Sequence, residues 1–174
     1  MAVLTVARIL EIPDAMSYQS LSNYEGSWRR FEIKEGRGAN GKFIIISDYA
    51  HHPTEILATL KAVREKYPDK KIWCIFQPHQ YQRTFYLLKD FIKVLRQVNI
   101  DKIIVTDIYD VAGREEKNIN EKVNSQVLVE KIKRKNVVYM DKESAYTFAK
   151  EHVKEGQVLV IMGAGDIYKL VDRF

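Results

Sequence analysis

Cysteine is nearly absent: the 174 residues hold one, Cys74. A lone thiol cannot build a disulfide frame, which assigns the chain to a reducing compartment. Cys74 sits inside the apolar run 72–76, where a small apolar role suits it better than that of a nucleophile. No apolar stretch approaches the roughly 20 residues of a membrane span. The N-terminus has neither a basic leader nor a small-residue cleavage site, so no signal peptide is read and a cytoplasmic location is expected. An excess of one charge is also missing, with 28 basic against 23 acidic residues and a net charge of +5. The densest basic cluster, Lys131 to Lys135, follows an expected helix and has no interleaved aromatic residues, so it reads as a solvated helix end rather than a nucleic-acid patch. A phosphate-cradling loop is lacking too. Gly36 to Lys42 spells G-x-x-x-x-G-K, but Phe43 stands where Ser or Thr is needed and a strand follows instead of preceding, so the segment reads as a hairpin. Internal repeats and low-complexity segments are absent.

What remains is a globular composition, 46% hydrophobic and 29% charged, in a length that suits one domain of ordinary size. Val3, Val6, Ile9 and Leu10 recur at helical spacing over residues 2–12, ahead of Pro13, and a second turn or short helix covers about 14–22. A helix that opens without a capping residue reads as the end of a preceding domain, and the change of composition at 23–30 reads as a linker. Residues 28–34 and 42–46 are expected as two strands, with Asn40-Gly41 a hairpin turn signal. Helices at about 54–66, 84–98, 121–134, 143–153 and 165–172 then alternate with strands at 71–76, 102–106, 136–139 and 157–161, with a charged loop at 107–119. This rhythm means βαβ units. The expected fold is α/β: a Rossmann-like, open, mostly parallel sheet with helices on both faces and an N-terminal antiparallel hairpin strand.

In such a sheet the strand ends share one edge, where open α/β sheets bind ligands. The strand ending at Ile46 empties into Ser47, Asp48, Tyr49, His51 and His52, and Pro53 suits the first turn of the helix that follows. The next emits Gln77, Pro78, His79, Gln80, Tyr81 and Arg83; the third, Asp107, Tyr109 and Asp110; the last, Gly163-Ala-Gly-Asp166. Either histidine taken singly reads as an ordinary hydrogen-bonding residue. Arg83 at a helix start opposes the dipole, which favours an anionic ligand for its planar fork. Gly163 and Gly165 allow close backbone approach at a helix N-terminus, but Tyr168 spoils a dinucleotide fingerprint. Two readings stay open from these residues alone: a metal-dependent hydrolase with Asp48, His51, His52 and His79 as ligands, and a non-catalytic nucleotide-binding module.

Together, Asp48-Tyr-Ala-His-His-Pro-Thr-Glu55, Phe76-Gln-Pro-His-Gln-Tyr-Gln-Arg-Thr84 and Gly163-Ala-Gly-Asp-Ile167 resemble the C-terminal domain of the Mur ligases, and 24–32 resembles the family's hinge into it. The match is nearest to the family's L-alanine-adding ligases. The resemblance implies an ATP- and Mg²⁺-dependent, cytoplasmic ligase of peptidoglycan synthesis, in which ATP phosphorylates the carboxylate of UDP-N-acetylmuramate and the amine of L-alanine attacks the acyl phosphate. It implies that residues 1–22 are the end of a central domain bearing the P-loop and metal ligands, 23–30 a linker, and 31–174 the C-terminal domain. Arg30 and Asp48 would contact ATP, at phosphate and ribose. His51 would lie near the reacting groups, and His79 and Arg83 would hold the amino acid, with Tyr49, His52 and Gln80 also at the substrate site. Gln80 stands where the family usually has Arg, which leaves a murein-peptide ligase, or another member with a different amino acid, as an alternative.

Overall fold

A computed structural model of the chain describes residues 2–24, 26–111 and 118–174. Six strands form one sheet: β1 Glu32–Gly38, β2 Gly41–Asp48, β3 Ile72–Phe76, β4 Lys102–Val105, β5 Val137–Tyr139 and β6 Val158–Met162. Their spatial order is β1-β2-β6-β3-β4-β5. The β1–β2 pair is antiparallel and every other pairing is parallel, as the alternation of strands and helices requires. The hairpin turns between Gly38 and Gly41, which face each other in register. Gly41 has φ +106°, a conformation that glycine takes at little cost. The G-x-x-x-x-G-K spelling therefore lies on an antiparallel ribbon.

Side-chain alternation along the strands sorts the core into two layers. Ile46, Cys74, Phe76, Ile103, Val105, Val160 and Met162 face α3 (Pro53–Lys66), α5 (Leu88–Gln97) and α7 (Ser125–Ile132). Phe43, Ile45, Ile75, Ile104, Leu159 and Ile161 face α8 (Lys142–His152) and the closing 3₁₀ helix Asp166–Arg173. Consecutive residues point to opposite faces, so nearly continuous apolar strands supply both layers. Cys74 is buried in the first layer, and burial pushes its thiol far above the range of a usable nucleophile.

At the sheet end remote from the strand C-termini, arginines close the helices. Arg96 donates to the carbonyls of Lys131 and Ile132 at the end of α7. Arg134 answers with bonds to Leu95, Arg96 and Val98 at the end of α5.

Several boundaries differ from expectation. The first strand starts at Glu32, not 28, because Arg29 and Phe31 take φ of +56° and +52° and turn the chain there. The helix expected at 84–98 starts three residues earlier, as α4 (Tyr81–Tyr86), and bends at Leu87 into α5. The helix expected at 121–134 is a single turn, α6 (Ile119–Lys122), followed by α7 with Asn124 as its N-cap. Residues 112–117 of the expected charged loop and Glu25 of the expected linker lie outside the described residues. α1 (Ala2–Ile9) and α2 (Asp14–Ser22) pack on each other and leave Val3, Val6, Ile9, Leu10 and Met16 exposed. Among the described residues no helix is long and apolar enough to cross a membrane.

Candidate active site

Strands β2, β6, β3 and β4 are neighbours, and their pairing sets Asp48 and Phe76 beside Met162, and Val105 beside Phe76. Hydrogen bonding continues past the strands. Gly163 N–H donates to the Asp48 carbonyl, Gln77 N–H to that of Met162 and Thr106 N–H to that of Phe76. The four polar segments are thus stitched into one rim.

Asp48 is buried, and both carboxylate oxygens are bonded. Oδ2 accepts from Phe31 N–H at 2.8 Å, while Oδ1 accepts from Ala50 N–H at 2.8 Å and from the Thr59 hydroxyl at 3.2 Å. Oδ2, with a single donor, retains acceptor capacity for a ligand hydroxyl. Tyr49 follows, its N–H bonded to the Arg29 carbonyl. Arg30 is exposed, with its guanidinium carbon 5.2 Å from the Tyr49 ring centroid.

His51 Nδ1 lies 3.0 Å from the Tyr49 carbonyl and 3.5 Å from Glu55. His52 is the N-cap of α3, its ring nitrogen accepting from Thr54 N–H, and Glu55 returns a capping box by accepting from the His51 and His52 N–H groups. Burial works against the Glu55 charge, but these backbone donors outweigh it and hold the carboxyl below its usual range. His52 therefore has a structural duty that the strand-to-helix turn alone explains.

His51 and His79 meet edge to face at 5.5 Å, and His79 stacks on Tyr109 at 5.7 Å with the rings 12° from parallel. Arg83 Nη1 is 3.2 Å from His79 Nδ1. Burial, with His51 and Arg83 adding to it, pushes the His79 pKa down to about 4. Gln80 sets the bend between strand and helix at φ +69°, its N–H on the Tyr109 carbonyl and its own carbonyl accepting from the Thr84 hydroxyl. Behind this row Gln77 bridges to the glycine turn, donating to Asp166 Oδ1 and accepting from Ile167 N–H. Asp166 also accepts from Lys142 at 2.5 Å. Gly165 belongs to the same packing, since a Cβ there would lie 2.5 Å from Gln77 Oε1 and 2.7 Å from Tyr109 Cβ. A neighbouring segment of the protein itself thus requires that glycine.

Asp48, Tyr49, His51, His79 and Arg83 accordingly follow one another in contact along the rim, and Arg30 stands beside Tyr49. A carboxylate acceptor, a neutral imidazole and two guanidinium groups form a surface for anions and for a hydroxyl or amine donor. The donor set does not suit a metal. Among the described residues no three His, Cys, Asp or Glu side chains group to hold one, His52 caps its helix, and Asp48 is bonded on both oxygens. The hydrolase reading loses its ligand set.

A family model described as "Mur ligase, glutamate ligase domain" matches residues 29–165. The chain belongs to the Mur ligase family. It is 41% identical over 160 residues to UDP-N-acetylmuramate–L-alanine ligase of Acetivibrio thermocellus, which covers 90% of this chain and 32% of that protein. The enzyme of the same name from Clostridium tetani is 39% identical and covers 100% of this chain and 37% of its own length. This Mur ligase chain thus spans about a third of the length of the curated relatives it matches. Among solved structures, UDP-N-acetylmuramate–alanine ligase of Thermotoga maritima superimposes with a TM-score of 0.73 at 27% identity, over 99% of this chain and 35% of the other. MurF ligase of Thermotoga maritima in complex with ADP shares the fold, with a TM-score of 0.66 at 19% identity, over 98% of this chain and 35% of that one.

Two residues of this Mur ligase domain escaped the sequence reading. Arg29 is buried, its Nη2 donating to the carbonyls of Gly163 and Gly165. Lys142 closes the Gln77–Asp166 network from the start of α8. Neither carries a local signal, since each acts across a long sequence separation.

Proposed function

We propose that this Mur ligase domain supplies the amino-acid side of an ATP-dependent ligase that joins L-alanine to UDP-N-acetylmuramate through an activated carboxylate in the cytoplasm. The observation that carries the reading is the Arg83–His79 pair at the rim shared with Asp48. Arg83 has five N–H donors in a planar fork, and one is directed at His79. The fork suits the carboxylate of an incoming amino acid. His79, held neutral, keeps that guanidinium oriented without competing for the anion, and His51, 5.5 Å from His79, stands where the amino group would approach the acyl carbon. Arg30 would meet a phosphate of ATP and Asp48 a ribose hydroxyl. Tyr49, between Arg30 and His51, and Gln80, at the bend before Arg83, line the two sides, and His52 contributes by setting the turn.

Mg²⁺ belongs, on this reading, to parts of the ligase beyond this chain, as does the P-loop, so the domain alone is inert. The apolar residues exposed on α1 and α2 (1–22) would pack in a preceding domain, with 23–30 as the connection. Closure of the domains over the rim would exclude water from the activated carboxylate and fix both reactants. The full-length ligase tests this by ADP release: release should require both UDP-N-acetylmuramate and L-alanine, and glycine, L-serine or an alanyl peptide should replace L-alanine poorly. Equal release with a peptide would transfer the assignment to a peptide-adding member of the family.

A further inference from the structure

Arg29 is 5% exposed, its guanidinium carbon 4.4 Å from the Tyr168 ring centroid, 4.8 Å from that of Tyr49 and 5.3 Å from that of Trp28. Nη2 donates to the carbonyls of Gly163 and Gly165, yet Nε is buried with no partner. A buried cation with an unanswered N–H is a poor choice for stability, and apolar side chains often replace such groups at no loss. Orientation explains it better. Arg29 and Phe31, on either side of Arg30, both hold the left-handed conformation without being glycine, a strained state that persists only when the surroundings over-determine it. Those surroundings are specific. Tyr49 N–H bonds the Arg29 carbonyl at 2.8 Å, Arg29 N–H bonds Glu32 Oε2 at 3.2 Å, and Phe31 N–H bonds Asp48 Oδ2 at 2.8 Å. The Arg29 side chain adds the tie to β6.

We propose that Arg29 is a positioning residue that fixes Arg30 on the rim: it locks the turn 29–31 to the ends of β2 and β6, so that Arg30 projects beside Tyr49. The significance of that placement for the nucleotide rests on the function proposed above; the placement itself does not. Arg29→Met retains an unbranched apolar stem between Tyr49 and Tyr168 but cannot bond the glycine carbonyls, and Arg29→Lys keeps a donor.

The test uses the full-length ligase and two readouts. In hydrogen exchange, Arg29→Met should speed the amides of Phe31 and Tyr49 at least tenfold while Thr84, bonded to the Gln80 carbonyl, is unchanged; unchanged exchange at Phe31 and Tyr49 overturns the proposal. In kinetics, Arg29→Met should raise the KM for ATP about tenfold with that for the amino acid within about twofold, and Arg29→Lys should recover part of the loss. The double variant with Arg30→Met should be no worse than Arg30→Met alone, because a positioning residue has nothing left to position; additive losses overturn the proposal. If Arg30→Met leaves the KM for ATP unchanged while exchange responds as described, the nucleotide role of Arg30 falls and the positioning role of Arg29 stands.

Discussion

Arg83 Nη1 lies 3.2 Å from His79 Nδ1, and an arginine can only donate, so the imidazole is the acceptor there and carries its proton on Nε2. The tautomer of a histidine at the centre of the rim is thereby fixed by a residue one helical turn further on. Tyr109 stacks on one side of that ring and His51 approaches on another, so the groups facing His79 are one cation, one imidazole and one phenol.

His79 should therefore titrate near pH 4, well below an ordinary histidine. Its native state binds a proton less readily than the unfolded chain, whose histidines titrate at about 6.5. The stability it contributes is complete above that value and declines as pH falls from there through about 4. An NMR titration of the His79 ring checks this. A midpoint at or above 6.5 would contradict the burial of this ring beside His51 and Arg83.

Gly165→Ala should destabilise the domain by about 1–3 kcal/mol, the usual cost of forcing extra volume into close packing. The new Cβ would press on Gln77 Oε1 and Tyr109, two residues that hold the rim together. Urea denaturation gives the stability change, and a cost below about 0.5 kcal/mol would refute the close approach.

Arg134→Ala should cost about 1–3 kcal/mol through the loss of charge-assisted bonds to the carbonyls at the end of α5. Those carbonyls lie at the end of the sheet opposite the rim. Turnover of the full-length ligase at a temperature where the variant is folded should be unchanged, and a large fall in kcat would contradict that separation.

The alternation of apolar strands with amphipathic helices made the sheet legible, because period 2 and period 3.6 are imposed by the backbone itself. The same reasoning located the rim, since all parallel strands emit their next residues at one edge, and Asp48, His79 and Arg83 were read from it. The Asn40-Gly41 hairpin was legible because glycine there answers a local conformational demand. What escaped was long-range. The left-handed turn at Arg29 and Phe31 is held by Asp48, Tyr49 and the glycine carbonyls, and nothing near Trp28 announces it, so the first strand was placed four residues early. The bend at Leu87 lies in a continuous apolar stretch whose spacing is the same in a straight helix. Arg29 gives no local signal because its side-chain partners lie across the fold, whereas His52, expected at the substrate site, caps its helix through Thr54 and Glu55, two and three residues on.

On the proposed function, Arg83, oriented by His79, receives the carboxylate of the incoming amino acid. The most direct measurement is the steady-state kinetics of Arg83→Ala in the full-length ligase, with each substrate varied in turn. The loss of a charge-assisted bond of about 1.5–3 kcal/mol should raise the KM for L-alanine roughly tenfold to a hundredfold while that for ATP stays within about twofold. Equal rises in both, or an unchanged KM for L-alanine, would contradict the account.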